Sequence, residues 1–562
     1  MREAKPSRLS KFIGPIDPVL LAALVLALLF SLYGIRWGRV ECWNRDDMAM
    51  RGLSGLRPGT YEKPPFHTYL NHALVIWPID AVEAVGAWLS RHKVKLNEAK
   101  LLESRLLITG MFLATVALAY WISLQCFGKS TARIVALVLA TSAGFIEYEH
   151  FLTCDSPLLL WMLVAFFFAR RVALYGDAVS YALGGFATGI ATATKYNGLA
   201  VGITIPIAHL FGAGFRSRWR RFFIAMIMVP AGFIAGAPAA PFQWRKLVSD
   251  FTYNAEVTPH YGGQTGGRGY WKFLKQLPEI LGWPGALLVC TAAIVSVFLV
   301  VQRRTFRDSA TLCFALAASV FLLYFAQIGA FARMETRFVL PAVPFLILMC
   351  GPAFQMLSRV RIAAFLILVP LIVYNTICSL SIGYRLNRDP RIGAQNWIAR
   401  RASEGDKLVI ESSGTSPRWI KLPEVQGTEI DLAHPERHRP IIGNVRDLRM
   451  PEVNGRVELF GKLFGQNSWV QQYARGTEGD PNENLFTLAA LRIRNPDVIT
   501  VHSTDYNVPS ATVRKYYADL FHHKTEYALV YSGATIEAPP WIYPRKIDFL
   551  DGRMTILTRP RL

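Results

Sequence analysis

Eleven apolar runs, each long enough to cross a hydrocarbon core of about 30 Å, fill the first two thirds of this chain. They lie at roughly 17–36, 103–125, 132–148, 156–174, 179–194, 197–212, 222–240, 284–302, 310–328, 339–356 and 361–382. So many runs leave few folds open, because backbone N–H and C=O groups in lipid must be satisfied within their own segment. The expectation is a polytopic α-helical membrane protein of about eleven transmembrane helices. A hydrophobic content of 52% and a mean hydropathy of +0.26 agree with that, and exclude an ordinary soluble enzyme. The first run follows Arg2, Lys5, Arg8 and Lys11 as a signal peptide's would. It is too long and lacks a small-residue cleavage pattern, so it reads as a retained span.

Charge sorts the loops. Lys129 and Arg133, Arg170 and Arg171, the stretch 216–221, Arg303, Arg304 and Arg307, and Arg359 and Arg361 fall in alternate short loops on the side of the N-terminus. The positive-inside bias makes that side cytoplasmic. With an odd number of spans the C-terminus lies outside, which in a bacterium means an inner-membrane protein with its C-terminal part in the periplasm. The formal charge of +21 is thus partly topogenic, and the remainder suits anionic lipid head groups and phosphates. No basic stripe with interleaved aromatics sits on a soluble module, so nucleic acid is not an expected partner.

The tail differs in kind. Residues 385–562 contain no spanning run, and their pattern reads as a helix at 392–401, strands at 407–411 and 497–501, a helix at 511–522, and strands at 527–531 and 554–557. The expected division is a membrane domain, 1–384, and a soluble α/β domain, 385–562, large enough for its own core.

Ionisable groups gather where the outer loops meet the spans. Asn44-Arg45-Asp46-Asp47 and Tyr61-Glu62-Lys63-Pro64-Pro65 lie in the first polar segment, Asp155 opens the fourth span, and Arg333, Glu335 and Arg337 precede Pro341. Each has a plain structural reading. Asp46, Asp47 and Asp155 could cap helices, Lys63 could snorkel to the interface, and the 333–337 cluster could be a solvated ion-pair group worth little. Their placement on one side of the membrane favours chemistry instead. A carboxylate can take a proton from an incoming hydroxyl, while ammonium and guanidinium groups can stabilise a departing phosphate in a partly dehydrated cleft.

The order Asp46-Asp47, Glu62-Lys63-Pro64-Pro65, Asp155-Ser156-Pro157, Thr194-Lys195-Tyr196-Asn197-Gly198 and Glu335-Thr336-Arg337-Phe338-Val339-Leu340-Pro341 resembles that of the C-type membrane glycosyltransferases. More narrowly, it is similar to the branch holding the protein O-mannosyltransferases and the lipid A aminoarabinose transferase. The resemblance covers about 1–385, and Asp389-Pro390-Arg391 with Ala394, Trp397 and Ile398 looks like the start of the outer domain of bacterial members. It implies a polyprenyl-phosphate sugar donor and a lipid, glycan or protein acceptor. It also implies Asp46 as catalytic base, with Asp47 and Asp155 as the other catalytic acids, and Lys63 and Arg337 at the donor phosphate. Glu62, Arg333 and Lys195 complete the expected substrate-binding set. One departure is clear: where many relatives have Arg-Tyr, this chain has Arg337-Phe338, so a phenol that could bond the phosphate is missing.

A single displacement with inversion is the simplest mechanism, since no second nucleophile is required. No cofactor is certain. Glu62 and His260 are weak candidates for a divalent metal, two ligands without a third, and His260 also reads as a surface residue in a glycine-rich loop. If Asp46 and Asp155 line one cleft, as the resemblance implies, Cys42 and Cys154 come near enough for a bridge, against the plain reading of two unpaired thiols. A polytopic transporter is the main alternative, although its ionisable sites are expected near the bilayer midplane rather than at one rim.

Overall fold

The computed structural model describes residues 16–38, 66–92, 94, 96–211, 219–245, 247–248, 251, 269–303, 308–331, 334–403, 409–412, 427–430, 438–441, 487–494, 496–502, 511–522, 525–547, 550 and 552–559.

All eleven apolar runs are helical, but they do not make eleven straight spans. Among the described residues seven helices are long and apolar enough to cross a membrane, or up to nine if each of two bent pairs counts as one span. The bent pairs are Lys129–Thr141 with Ala143–Glu149, broken by 55°, and Thr336–Met349 with Gly351–Leu357, broken by 50°. At the first break Ser142 is extended, and its hydroxyl donates back to the Val138 carbonyl. At the second, Pro352 removes an N–H and crowds the preceding turn. Three runs form helices of fewer than eighteen residues: Pro18–Leu32 has 15, Ala178–Thr194 has 17, and Tyr196–Phe211 begins as a 3-10 helix. One helix of spanning length falls inside the segment read as polar: Phe66–Ser90, with a π-turn at His72–Ile76 and most of its surface exposed. Its apolar residues are interrupted by Asp80 and Glu83, which hide the pattern from a hydropathy reading.

Close backbone approach holds the bundle where apolarity alone cannot, because lipid is as apolar as the core. Ala178–Thr194 crosses Trp219–Gly236 at Gly185 and Gly189; a Cβ on Gly189 would stand 2.1 Å from the Val229 carbonyl oxygen. Gly189→Leu is therefore expected to part the two helices, at a cost above the roughly 1–3 kcal/mol of ordinary overpacking. A thermal unfolding midpoint in detergent equal to that of the native protein would refute this close packing.

Beyond the last long helix, Arg361–Leu386, the chain turns at 387–389 into Pro390–Ser403 and then into a six-stranded mixed sheet. The strands are β1 (Val409–Ser412), β2 (Gly427–Ile430), β3 (His438–Ile441), β4 (Val498–His502), β5 (Ala528–Ala534) and β6 (Arg553–Thr558), in the order β3-β2-β1-β4-β6-β5. β1 pairs in parallel with β2 and β4, and the other pairs are antiparallel. Val501, Tyr516, Tyr517, Leu520 and Leu557 pack the helix Ala511–Phe521 against this sheet. The α/β character and four of the strands follow the alternating pattern. β2 and β3, four residues each and carrying Gly427 and Pro440, do not show it.

A strap from the sheet region returns to the membrane helices. Trp283 Nε1 donates to the Tyr543 hydroxyl at 2.8 Å, and Tyr374 donates to the Trp541 carbonyl at 2.5 Å. Arg385 donates to the carbonyls of Pro544 and Arg545 at 2.8 and 2.9 Å, and the Arg545 N–H donates to Glu279 at 2.9 Å.

Candidate functional site

Asp155 opens the helix Asp155–Tyr175, but it does not cap it. Cys154 holds the N-cap position, and the Asp155 carboxylate, 2% exposed, accepts from Lys195 Nζ at 2.8 Å. Lys195 reaches it because the helix Ala178–Thr194 stops there: Lys195 is extended, with φ −152° and ψ 135°, and the chain restarts as a 3-10 helix at Tyr196. Gly198 permits the tight return, since a Cβ there would lie 2.4 Å from the Ala191 carbonyl oxygen. Burial alone would pull the Lys195 ammonium down, yet the Asp155 carboxylate outweighs it and holds the amine above its ordinary range. Lys195 stays charged throughout the physiological range.

The opposite wall comes from Thr336–Val339. Arg337 Nε donates to Glu335 Oε2 at 2.6 Å, and two cations lie near the Phe338 ring, Lys195 Nζ at 5.5 Å and Arg337 Cζ at 5.4 Å from its centre. Each ring-to-cation contact is favourable. The four ionic groups, Asp155, Lys195, Glu335 and Arg337, sum to zero. An incoming anion meets two cations whose side chains are already held, 21% and 20% exposed.

Three polar side chains that the sequence reading did not single out complete the site. Glu149, fully buried, accepts from the Ser156 hydroxyl through one oxygen while its other oxygen has no hydrogen-bond partner. The Tyr324 hydroxyl is likewise buried, beside the Asn197 side chain and in the field of Lys195 and Asp155. His67, 2% exposed, lies beside the Leu152 backbone and feels the Asp155 carboxylate. Polar side chains buried close to one ion pair add hydrogen-bonding capacity for a polar ligand. Their signal in the sequence is faint: a lone tyrosine within an apolar run, an acid before His150, and a histidine just after Pro64-Pro65.

Asp46, Asp47, Glu62, Lys63, Arg333, His260 and Cys42 lie outside the described residues. Of the expected site, the structure therefore brings together Asp155, Lys195 and Arg337. Among the described residues no group of three or more His, Cys, Asp or Glu side chains is arranged to hold a metal.

Comparison with known proteins agrees with this architecture. The family model described as dolichyl-phosphate-mannose-protein mannosyltransferase matches residues 84–242. The crystal structure of ArnT from Cupriavidus metallidurans in the apo state aligns with a TM-score of 0.50 at 13% identity, covering 96% of this chain and 97% of that one. The same protein bound to undecaprenyl phosphate aligns with a TM-score of 0.49 at 13% identity and the same coverage. The apo oligosaccharyltransferase of Archaeoglobus fulgidus aligns with a TM-score of 0.43 at 12% identity, covering 94% of this chain and 75% of that one. No curated protein sequence matches. The resemblance read from the sequence is borne out, and the chain is a multi-pass membrane protein with the C-type glycosyltransferase fold.

Proposed function

From that fold we propose that this protein is a glycosyltransferase that moves a sugar from a polyprenyl-phosphate donor to a hydroxyl or phosphate on a lipid, glycan or protein acceptor. The observation that carries the reading is the Lys195–Asp155 pair with Arg337, both cations near the Phe338 ring, and the buried polar groups of Tyr324 and His67 in the field of Asp155. Cations suit the departing phosphate and the polar groups suit sugar hydroxyls.

Asp46 takes the acceptor proton and Asp47 orients it, Lys63 with Arg337 and Arg333 meets the phosphate, and inversion follows from one displacement. Asp155, already committed to Lys195, fixes the ammonium rather than acting as a free base. The site faces outward at the inner membrane of a bacterium, with the N-terminus cytoplasmic and the α/β domain, 385–562, in the periplasm.

Tyr324→Phe tests the site. The change removes only a hydroxyl beside the Asn197 side chain, so the thermal midpoint is expected to move by no more than one ordinary hydrogen bond, about 1 kcal/mol. Transfer from an undecaprenyl-phosphate sugar is expected to fall about tenfold, the loss of one ligand hydrogen bond of about 1.4 kcal/mol. Unchanged turnover would remove Tyr324 from the site.

A further inference from the structure

At the ends of the bundle away from the ion-pair site, three helices bring an arginine and two thiols together. Arg170 stands fifteen residues after Asp155 on the helix Asp155–Tyr175, and Ser309 stands fifteen residues before Tyr324 on Ser309–Gly329, so about 22 Å of helix separates each from the site. Between them comes the end of Asn97–Phe127, with Gln125 and Cys126. Arg170 is 4% exposed, and its hydrogen bonds to oxygen go to neutral groups: the Gln125 side chain at 2.5 Å, the Gln125 carbonyl at 3.3 Å and the Ser309 hydroxyl at 3.2 Å. Among the described residues no carboxylate pairs with it.

A guanidinium keeps its charge when buried, and a buried charge calls for an opposite one. Of the groups around Arg170, a thiol is the one that can become an anion. The half-buried Cys126 sulfur is in hydrogen-bonding contact with Arg170, with the Ser309 hydroxyl and with the thiol of Cys313, one turn beyond Ser309 and fully buried. Thiolate is the attacking form of cysteine, and a cation in contact stabilises it. We propose that Cys126 and Cys313 form an oxidation site at which a hydroperoxide joins them in a disulfide, stapling Asn97–Phe127 to Ser309–Gly329. The Cys126 sulfur attacks the peroxide oxygen, the O–O bond breaks, and the thiol proton leaves on the alcohol or water released, giving a sulfenic acid. The Cys313 sulfur then attacks the sulfenic sulfur; the S–S bond forms, and hydroxide departs with the Cys313 proton as water. Two thiols lose two electrons and the peroxide gains them. Cys350 is the internal contrast, since its thiol, fully buried, is directed at the carbonyls of Val289 and Leu346 at 3.2 and 3.1 Å.

Full-length protein in detergent, reduced and then freed of reductant, is treated with hydrogen peroxide, and peptide mass spectrometry without reductant reads each cysteine. The expected product is a Cys126–Cys313 linked peptide, formed at least tenfold faster than any oxidation of Cys350. Arg170→Met is expected to slow that bridge at least tenfold. Cys126 and Cys313 still reduced when Cys350 is oxidised overturns the proposal, as does Cys126 passing to a sulfinic acid with Cys313 untouched. A bridge formed as fast in Arg170→Met as in the native protein overturns it too. Should Arg170→Met fail to fold, Cys313→Ser carries the test: Cys126 is then expected to be trapped by dimedone as a sulfenic acid, and no adduct at Cys126 overturns the proposal.

Discussion

Asp46→Asn is expected to abolish sugar transfer while leaving the protein inserted and folded. The amide keeps the shape of the carboxylate and cannot accept a proton at neutral pH, so the loss falls on the chemical step rather than on binding. General-base removal typically costs about 10²- to 10⁴-fold. The remaining acids do not compensate: Asp155 is bound to Lys195, and Glu149 is buried and hydrogen-bonded to Ser156. Asp47→Asn is expected to be milder, because orientation survives where basicity is not used. The check is turnover of an undecaprenyl-phosphate sugar alongside undecaprenyl phosphate affinity. Native turnover in Asp46→Asn would end the assignment of the base, and a parallel loss of lipid affinity would move Asp46 to binding.

Lys195→Met has the second largest effect, and it falls on stability as well as on activity. Truncating one partner of a buried pair strands the other, which costs about 3–5 kcal/mol when burial is complete. Asp155 is 2% exposed but Lys195 is 21% exposed, so solvent relieves part of this and the lower end of that range is expected. Asp155→Asn combined with Lys195→Met replaces the pair by neutral groups and should restore most of the thermal midpoint. Activity should not return, because the ammonium that faces the Phe338 ring is still missing. A double variant as unstable as Lys195→Met would show that the pair's contribution is packing rather than charge.

The sequence made some of this legible and hid the rest for identifiable reasons. Helical type followed from apolar length, yet the number of spans and their straightness did not: Ser142 and Pro352 break two spans locally, while a hydropathy window averages across them. Phe66–Ser90 was read as polar because Asp80 and Glu83 weigh as charges, although both reach Lys100 on the neighbouring helix, at 2.5 and 2.8 Å. Asp155, Lys195 and Arg337 were found because each stands at a helix end, where charge is conspicuous against apolar neighbours. Their pairing was not found, since 40 residues separate Asp155 from Lys195 and only the extended turn at 195 brings them together. Tyr324 and Glu149 escaped because one polar atom within a long apolar run resembles a tolerated exception. Only their burial near Asp155, a property of three dimensions, sets them apart. The α/β tail was readable wherever strands alternate, and unreadable at β2 and β3, whose four residues are too few to display a period.

The strap at 541–545 bears on how such a chain is made. Arg385 is 4% exposed and gives two of its hydrogen bonds to carbonyls about 160 residues later, and Glu279 waits 266 residues for the Arg545 N–H. At a synthesis rate of about 5–20 residues per second, the last long helix is in place for roughly ten to thirty seconds before those partners emerge. During that interval Arg385 and Glu279 stand without these partners, which only residues 544 and 545 supply. The seam between the last long helix and the strap thus closes only after residue 545 has been made, and a chain halted near residue 540 is left with that seam open.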